Sequence, residues 1–119
     1  MTDQEKYELN QRVHAEVFQY TGRAGESYVG DMHYASKVLD HFDALGCGYS
    51  LTRYAGNPSE TSFYVAIWRD EWSFSASGSD KCVAICECGL YIAAHLKAIE
   101  IEKEVNQLIA EAREMKEEL

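Results

Sequence analysis

Residues 61–96 constrain the fold more than any other part of the chain, because the spacing of apolar residues changes halfway through them. The first half alternates apolar and polar residues, as in TSFYVAIW and EWSFSAS on either side of Arg69-Asp70. Successive strand residues point to opposite faces, so this alternation predicts a β-hairpin. The second half, KCVAICECGLYIAAHL, follows a Ser/Gly break and has helical apolar spacing. The segment therefore predicts a hairpin that leads directly into a helix.

The register of the hairpin depends on its turn, and Arg69-Asp70 is the predicted two-residue turn. One apolar face then results from three cross-strand pairs: Ile67 with Trp72, Val65 with Phe74, and Phe63 with Ala76. The opposite face is expected to carry the remaining side chains: Tyr64, Ala66, Trp68, Ser73, Ser75 and Ser77. Arg-Asp is a poor pair for such a turn, so a longer loop would shift this register by a residue. The sequence leaves open whether a helix covers that opposite face.

Two amphipathic helices are predicted before the strands. The first runs from Asp3 to Tyr20 and starts with a capping box formed by Thr2 and Glu5. Its buried stripe comprises Leu9, Val13, Val17 and Tyr20. The second starts after the N-cap Asp31 and stops at Gly46. Its core face comprises Ala35, Val38, Leu39, Phe42 and Leu45.

A first strand, Gly48 to Tyr54, and a loop with the only proline, AGNPSE, precede the hairpin. The predicted order is therefore helix, helix, three strands, helix. The fold class is α+β with ααβββα order, in which helices pack on a three-stranded antiparallel sheet.

The last helix is capped by Ser79 or Asp80 and continues to the C-terminus. Its apolar residues follow alternating steps of four and three: Ala94, Ala98, Ile101, Val105, Leu108, Ala112, Met115 and Leu119. Such steps are typical of a coiled-coil seam, and Glu111 and Lys116 would form an ion pair across a parallel partner. The alternative is an amphipathic helix packed on its own domain. Residues 1–96 are expected to form the α+β sandwich domain, and 97–119 a helical extension that makes a homo-oligomer.

Composition excludes several classes of partner. The formal net charge is −9, with 20 acidic against 11 basic residues. Nucleic acids and anionic membranes attract Lys/Arg clusters, so neither is an expected partner. No apolar run is expected to span a bilayer, and MTDQEKYELNQRV lacks the layout of a signal peptide, so a cytoplasmic location is expected.

The four cysteines, Cys47, Cys82, Cys86 and Cys88, are expected to be reduced and buried. The C-x3-C-x-C spacing lacks the second ligand pair that is usual for zinc, so no metal or cofactor is predicted. The histidines (His14, His33, His41 and His95) are scattered over three helices without a nucleophile–base spacing. A non-enzymatic protein without catalytic residues is therefore expected.

A binding protein for a nucleotide-like ligand needs aromatic faces for a base and arginines for phosphate. The candidate ligand-binding residues are Arg23, Tyr28, Tyr49, Arg53, Tyr64, Trp68 and Arg69. If helices cover both sheet faces, Tyr64 and Trp68 become core residues and this hypothesis loses its best aromatic groups. The alternative is a protein-interaction or scaffold module, which needs only the seam and an acidic surface.

Several short motifs resemble the phage ABA-sandwich domain family over residues 5–96. Tyr28, Asp31 and Ala35 match a Tyr-x-x-Asp-x-x-x-Ala segment at the start of the second helix. A later aromatic strand and an Asp-x-x-x-Ala-Ile-Cys helix start match at Trp72, Phe74, Asp80, Ala84, Ile85 and Cys86. The chain departs from the family at Cys82 and Val83, near the helix start, where members tend to have a proline.

This resemblance implies a helix-sheet-helix sandwich encoded by a phage or prophage and acting inside a bacterial host cell. The family provides no established catalytic residues to transfer. Small phage proteins often counter bacterial immunity, and some act as sponges for its nucleotide signals. The functional expectation is an oligomeric sponge, with a scaffold that binds a host protein as the alternative.

Overall fold

The structure, a computed structural model that describes residues 1–54 and 61–118, confirms the α+β class and the order of elements. Helix α1 spans Asp3–Arg12 and continues as a π-helical turn over Val13–Val17, while α2 spans Met32–Ala44 and α3 spans Lys81–Glu117. The antiparallel sheet has the order β1 (Gly48–Tyr54), β2 (Ser62–Arg69), β3 (Trp72–Gly78). The predicted AGNPSE loop and the last seam residue, Leu119, lie outside the described residues.

The first helix begins as predicted but ends earlier. Thr2 Oγ1 accepts a hydrogen bond from the Glu5 N–H at 3.1 Å, and Glu5 Oε1 accepts one from the Thr2 N–H at 3.1 Å. After the π-helical turn, Gln19 adopts a left-handed φ of 58°, which ends the helix before Tyr20. Tyr20 is therefore 56% exposed, and its predicted place in the core is wrong.

Both predicted caps of the second helix are confirmed. Asp31 Oδ1 accepts a hydrogen bond from the His33 N–H at 2.9 Å, and Gly46 has the positive φ expected after a helix. Leu45 was predicted in the core but is 42% exposed. The helix ends at Ala44, and Leu45 at the C-cap leaves helical geometry, so its side chain does not continue the buried face.

The hairpin register differs from the prediction by two residues. The turn is Asp70-Glu71, so Arg69 pairs with Trp72, Ile67 with Phe74 and Val65 with Ala76. A one-residue shift would exchange the faces of the strand, whereas a two-residue shift preserves them. The predicted apolar and polar faces are therefore correct, although the predicted pairs are wrong.

The first half of α3 lies between the sheet and the other helices. On the sheet side, the Cys88 thiol donates to the Phe74 carbonyl oxygen at 3.5 Å. On the other side, Gly89 faces Val38, Phe42 and Val17 of α2 and the π-helical turn. The layers thus run sheet, then α3, and then α1, the π-helical turn and α2, each of which contacts α3. The described helices lie on one face of the sheet, and the opposite face is exposed.

The second half of α3 projects from the domain, and all of its residues from Glu100 to Glu118 are exposed. The molecule consequently measures 71 × 32 × 24 Å. Contrary to the sequence expectation, an 18-residue window of α3 has the length and mean hydropathy (1.5) of a membrane span. In that window 44% of the residues are buried inside the protein, and the core helix of a soluble protein meets the same criterion.

Candidate functional site

Tyr28, one of the predicted ligand-binding residues, belongs to the core. It is only 2% exposed, and its ring stacks on Phe18 at 5.2 Å between centroids. Asn10 Oδ1 accepts hydrogen bonds from the backbone N–H groups of Tyr28 and Val29 at 2.7 and 3.3 Å. Burial, followed by the nearby Glu26 carboxylate, raises the pKa of Tyr28 to about 12. The ring is therefore not available to a ligand.

Arg23 is exposed but is held against α1. Its Nε donates to the Tyr7 hydroxyl at 3.0 Å, and its guanidinium lies 5.7 Å from the centre of the Tyr7 ring. No contact links it to another predicted ligand residue among the described residues.

The five predicted residues on the strands are divided between the two faces of the sheet. Tyr64 and Trp68 point away from the helices and are 37% and 43% exposed. Tyr49, Arg53 and Arg69 lie on the helix side, because their register partners share the face of Val65 and Ile67. The predicted aromatic platforms and arginines therefore do not meet within one chain. The alternation of strand residues indicates this division, since Trp68 and Arg69 are consecutive and therefore point to opposite faces.

One predicted residue, Arg69, lines a cleft of about 470 Å³ between the hairpin turn and α3, which we call the hairpin cleft. Its other lining residues are Asp70, Glu71, Trp72, His95, Leu96 and Ile99. The His95 ring lies 6.0 Å from the Trp72 ring and 5.2 Å from the Phe74 ring, between centroids. The cleft thus combines a cation, an aromatic ring and an imidazole.

The sequence patterns do not indicate Trp72 and His95 as site residues, because Trp72 lies on the predicted apolar face of the hairpin and His95 lies in a helix without a nucleophile–base spacing. The structure leaves both half-buried. Arg69 also lies close to Cys47, whose pKa is raised by burial and lowered to a smaller degree by this guanidinium. The Arg69 side chain therefore lies where β1, β2 and the hairpin cleft meet.

A second cavity, about 540 Å³, lies where the π-helical turn, the end of α2 and the middle of α3 meet; we call it the helical groove. Phe18, Leu45 and Ala94 give it apolar walls, and His41 adds an imidazole. Burial lowers the pKa of His41. The left-handed Gln19 also lines this groove, and such a conformation is uncommon for a residue other than glycine.

The cysteines pack in the core and are free thiols. Burial raises the pKa of Cys86 to about 12 and that of Cys88 to about 11, and it also raises the pKa of Cys47 and Cys82. Thiols with raised pKa values are poor nucleophiles. Within residues 1–54 and 61–118, no three His, Cys, Asp or Glu side chains converge as metal ligands do.

The buried thiols predict a loss of stability in alkali. Their pKa is 9.0 when unperturbed and about 11 to 12 in the fold, so the unfolded chain ionises first as the pH rises. Stability contributed by the neutral thiols is present below pH 9 and is lost as the pH rises through 9 toward 12. Cys86 and Cys88 together should lower the free energy of unfolding by about 2 kcal/mol between pH 8 and pH 10.

Urea titrations at pH 8, 9 and 10 measure this loss. The double variant Cys86→Ala/Cys88→Ala serves as the control, because it removes the two thiols with the largest pKa shifts and should show a smaller dependence on pH. If the stability of the two proteins depended equally on pH, the loss in alkali could not be assigned to the Cys86 and Cys88 thiols.

No known family model matches the chain, and no curated protein matches it, so the resemblance to the phage ABA-sandwich family is not confirmed. The fold is similar to the 2.0 Å crystal structure of a phage protein from Bacillus cereus ATCC 14579, with a TM-score of 0.58. The two chains are 16% identical, and the match covers 71% of this chain and 88% of the other. This likeness shows the fold alone.

Proposed function

We propose that this is a non-enzymatic phage-type protein that sequesters a small nucleotide-derived signal, and that the hairpin cleft is the binding site. The convergence of Arg69, Trp72 and His95 around a cavity of about 470 Å³ carries this proposal. Cavities of 300 to 1,000 Å³ are usual for small ligands. The fold likeness to a phage protein and the resemblance to phage sandwich domains support a role in an infected bacterial cell.

The cleft favours a ligand with few phosphates. The Trp72 ring offers a face to a base, and the Arg69 guanidinium offers paired donors to one phosphate. Asp70 and Glu71 line the same cleft and repel further negative charge. A cyclic nucleotide or an ADP-ribose derivative therefore fits better than a nucleoside triphosphate.

Thermal melting in the presence of cyclic mononucleotides, cyclic dinucleotides, ADP-ribose derivatives and ATP tests this proposal. A ligand at 100 times its Kd stabilises the folded state by about 2.7 kcal/mol, so binding raises the melting temperature by several degrees. Arg69→Ala should abolish the rise. Arg53→Ala is the matched control, since Arg53 lies on the same face of the sheet but does not line the cleft. No rise with any of these compounds would overturn the proposal.

The second candidate function is a protein-interaction scaffold, and the projecting half of α3 favours it. The seam residues Ile101, Val105, Leu108 and Met115 are between 47% and 68% exposed, and they lie in the projecting half of α3, where every described residue is exposed. Exposed apolar heptads are typical of a coiled coil between chains. A homo-oligomer through α3 is thus part of both candidates, and a monomeric mass in light scattering would count against this shared feature.

A further inference from the structure

The outer face of the sheet, which points away from the helices, is an uncharged surface on an acidic protein. It consists of the even-numbered residues of Gly48–Tyr54 and Ser62–Trp68, together with Ser73, Ser75 and Ser77. None of these positions carries Asp, Glu, Lys, Arg or His, although 26% of the chain is charged. All except Gly48, Ala66 and Trp68 carry a hydroxyl group. The face therefore combines donors and acceptors without charge.

Trp68 lies flat on this face. A Cβ at Gly48 would meet the indole atoms Cε2, Nε1 and Cζ2 at 2.6, 2.7 and 2.8 Å, so the ring covers the Gly48 backbone. One side of the indole packs on Gly48 of β1, and the Trp68 residue remains 43% exposed. Gly48 is thus required for the close approach of the ring. A fixed aromatic plane of this kind accepts a ring from a ligand at little cost in conformational entropy.

A second exposed aromatic ring lies along the same strand. Tyr64 is 37% exposed and stands four residues from Trp68, or about 13 Å along β2. Hydroxyl groups lie beside both rings: Ser73 on β3 is next to Trp68, and Thr52 on β1 and Ser77 on β3 are next to Tyr64. A linear ligand with several rings could contact both aromatic residues at once.

The size and charge of the face disfavour other occupants. Three strands about 4.8 Å apart and six residue steps along β2 give a surface of about 300 Å². A stable protein interface needs about 800 Å² of accessible surface on each partner, so a second protein chain would have to extend beyond this flat footprint. A phosphate-bearing ligand would need cations, and Arg53 and Arg69 lie on the other side of the sheet.

We propose that the outer face binds a neutral oligosaccharide, whose rings pack on Trp68 and Tyr64 and whose hydroxyl groups exchange hydrogen bonds with the Ser and Thr rows. The apolar C–H face of a pyranose ring packs on an aromatic plane, while its hydroxyl groups are both donors and acceptors. This site is separate from the hairpin cleft, which lies on the opposite side of the sheet. The inference therefore goes beyond the proposed function and does not depend on it.

Calorimetric titration of the full chain with maltohexaose, cellohexaose and hexa-N-acetylchitohexaose tests the proposal. We expect at least one of the three to bind and Trp68→Ala to weaken that binding at least fivefold. Tyr49→Ala is the matched control: Tyr49 is an equally exposed aromatic residue of the same sheet on the opposite face, and its loss should leave binding unchanged. Tyr64→Ala provides a second variant if Trp68→Ala does not fold, as judged by circular dichroism.

Three outcomes would overturn the proposal. The first is that none of the three hexasaccharides binds. The second is that binding persists in both aromatic variants, which would place the ligand elsewhere. The third is that adenosine binds the face as tightly as the hexasaccharides, which would identify a single planar ring as the ligand. Loss of nucleotide binding in Arg69→Ala should leave saccharide binding intact, so the two proposals fail independently.

Discussion

Leu108→Lys is expected to convert the proposed homo-oligomer into a monomer, with a matching fall in the mass measured by light scattering. Leu108 is 65% exposed in the single chain and occupies a d position of the heptad repeat. In a coiled coil its side chain would be enclosed by the partner helix, where an unpaired lysine ammonium loses its hydration. Two or more such charges would face each other across the seam. We expect this penalty to exceed the association free energy of a three-heptad coil.

Ala110→Lys is the matched control for this variant. It adds the same charge to the same exposed stretch of α3, but at an f position that faces away from the seam. Its mass should equal that of the unmodified protein at the same concentration. If the two lysine variants have the same mass in light scattering, the seam is not the site of association. A monomeric unmodified protein would refute the homo-oligomer itself.

Gly89→Val is expected to lower the free energy of unfolding by about 2 kcal/mol or more. A Cβ at Gly89 would lie 2.8 Å from Val38 Cγ1, 3.4 Å from Phe42 Cε2 and 3.6 Å from Val17 Cγ2. Val38 and Phe42 are fully or almost fully buried, so the three side chains cannot move aside without disturbing the core. Overpacking of this kind costs about 1 to 3 kcal/mol and exceeds the helix propensity gained by replacing glycine.

Ala110→Val provides the control, because it introduces the same β-branched side chain into α3 at an exposed site. There the change should cost about 0.5 kcal/mol through helix propensity alone. Urea titrations of both variants give the comparison. A loss at Gly89 no larger than the loss at Ala110 would mean that α2 does not pack closely on α3 at this point.

Most of the fold follows from patterns that the sequence displays directly. The caps at Thr2, Asp31 and Asp80, the faces of the hairpin and the long last helix all depend on neighbouring residues, and the structure confirms them. The errors arise where a few residues change the local geometry. The π-helical turn at Val13–Val17 removes Tyr20 from the predicted stripe, and the Asp70-Glu71 turn moves the strand pairs by two residues.

The candidate site was harder to predict, because it depends on which faces meet in three dimensions. The charge of Arg69 predicts a ligand contact, but Trp72 and His95 beside it in the cleft come from the half-buried faces of β3 and α3. Trp72 and His95 are 23 residues apart, and only the packing of α3 on the sheet brings their rings together. Tyr28 shows the opposite case: it was predicted to bind a ligand, but Asn10 accepts hydrogen bonds from its backbone and from Val29 and holds it in the core.

The continuity of α3 fixes how binding sites would be arranged in an assembly. One uninterrupted helix of 37 residues passes from the core, beside the hairpin cleft at Ile99, into the seam. A flexible linker would let the α+β domains of two chains adopt many separations, whereas a continuous helix holds each domain at a fixed position relative to the seam. The hairpin clefts of two associated chains would then lie at one fixed distance from each other. Such an assembly would capture a two-headed ligand efficiently only if the ligand's own span matches that spacing.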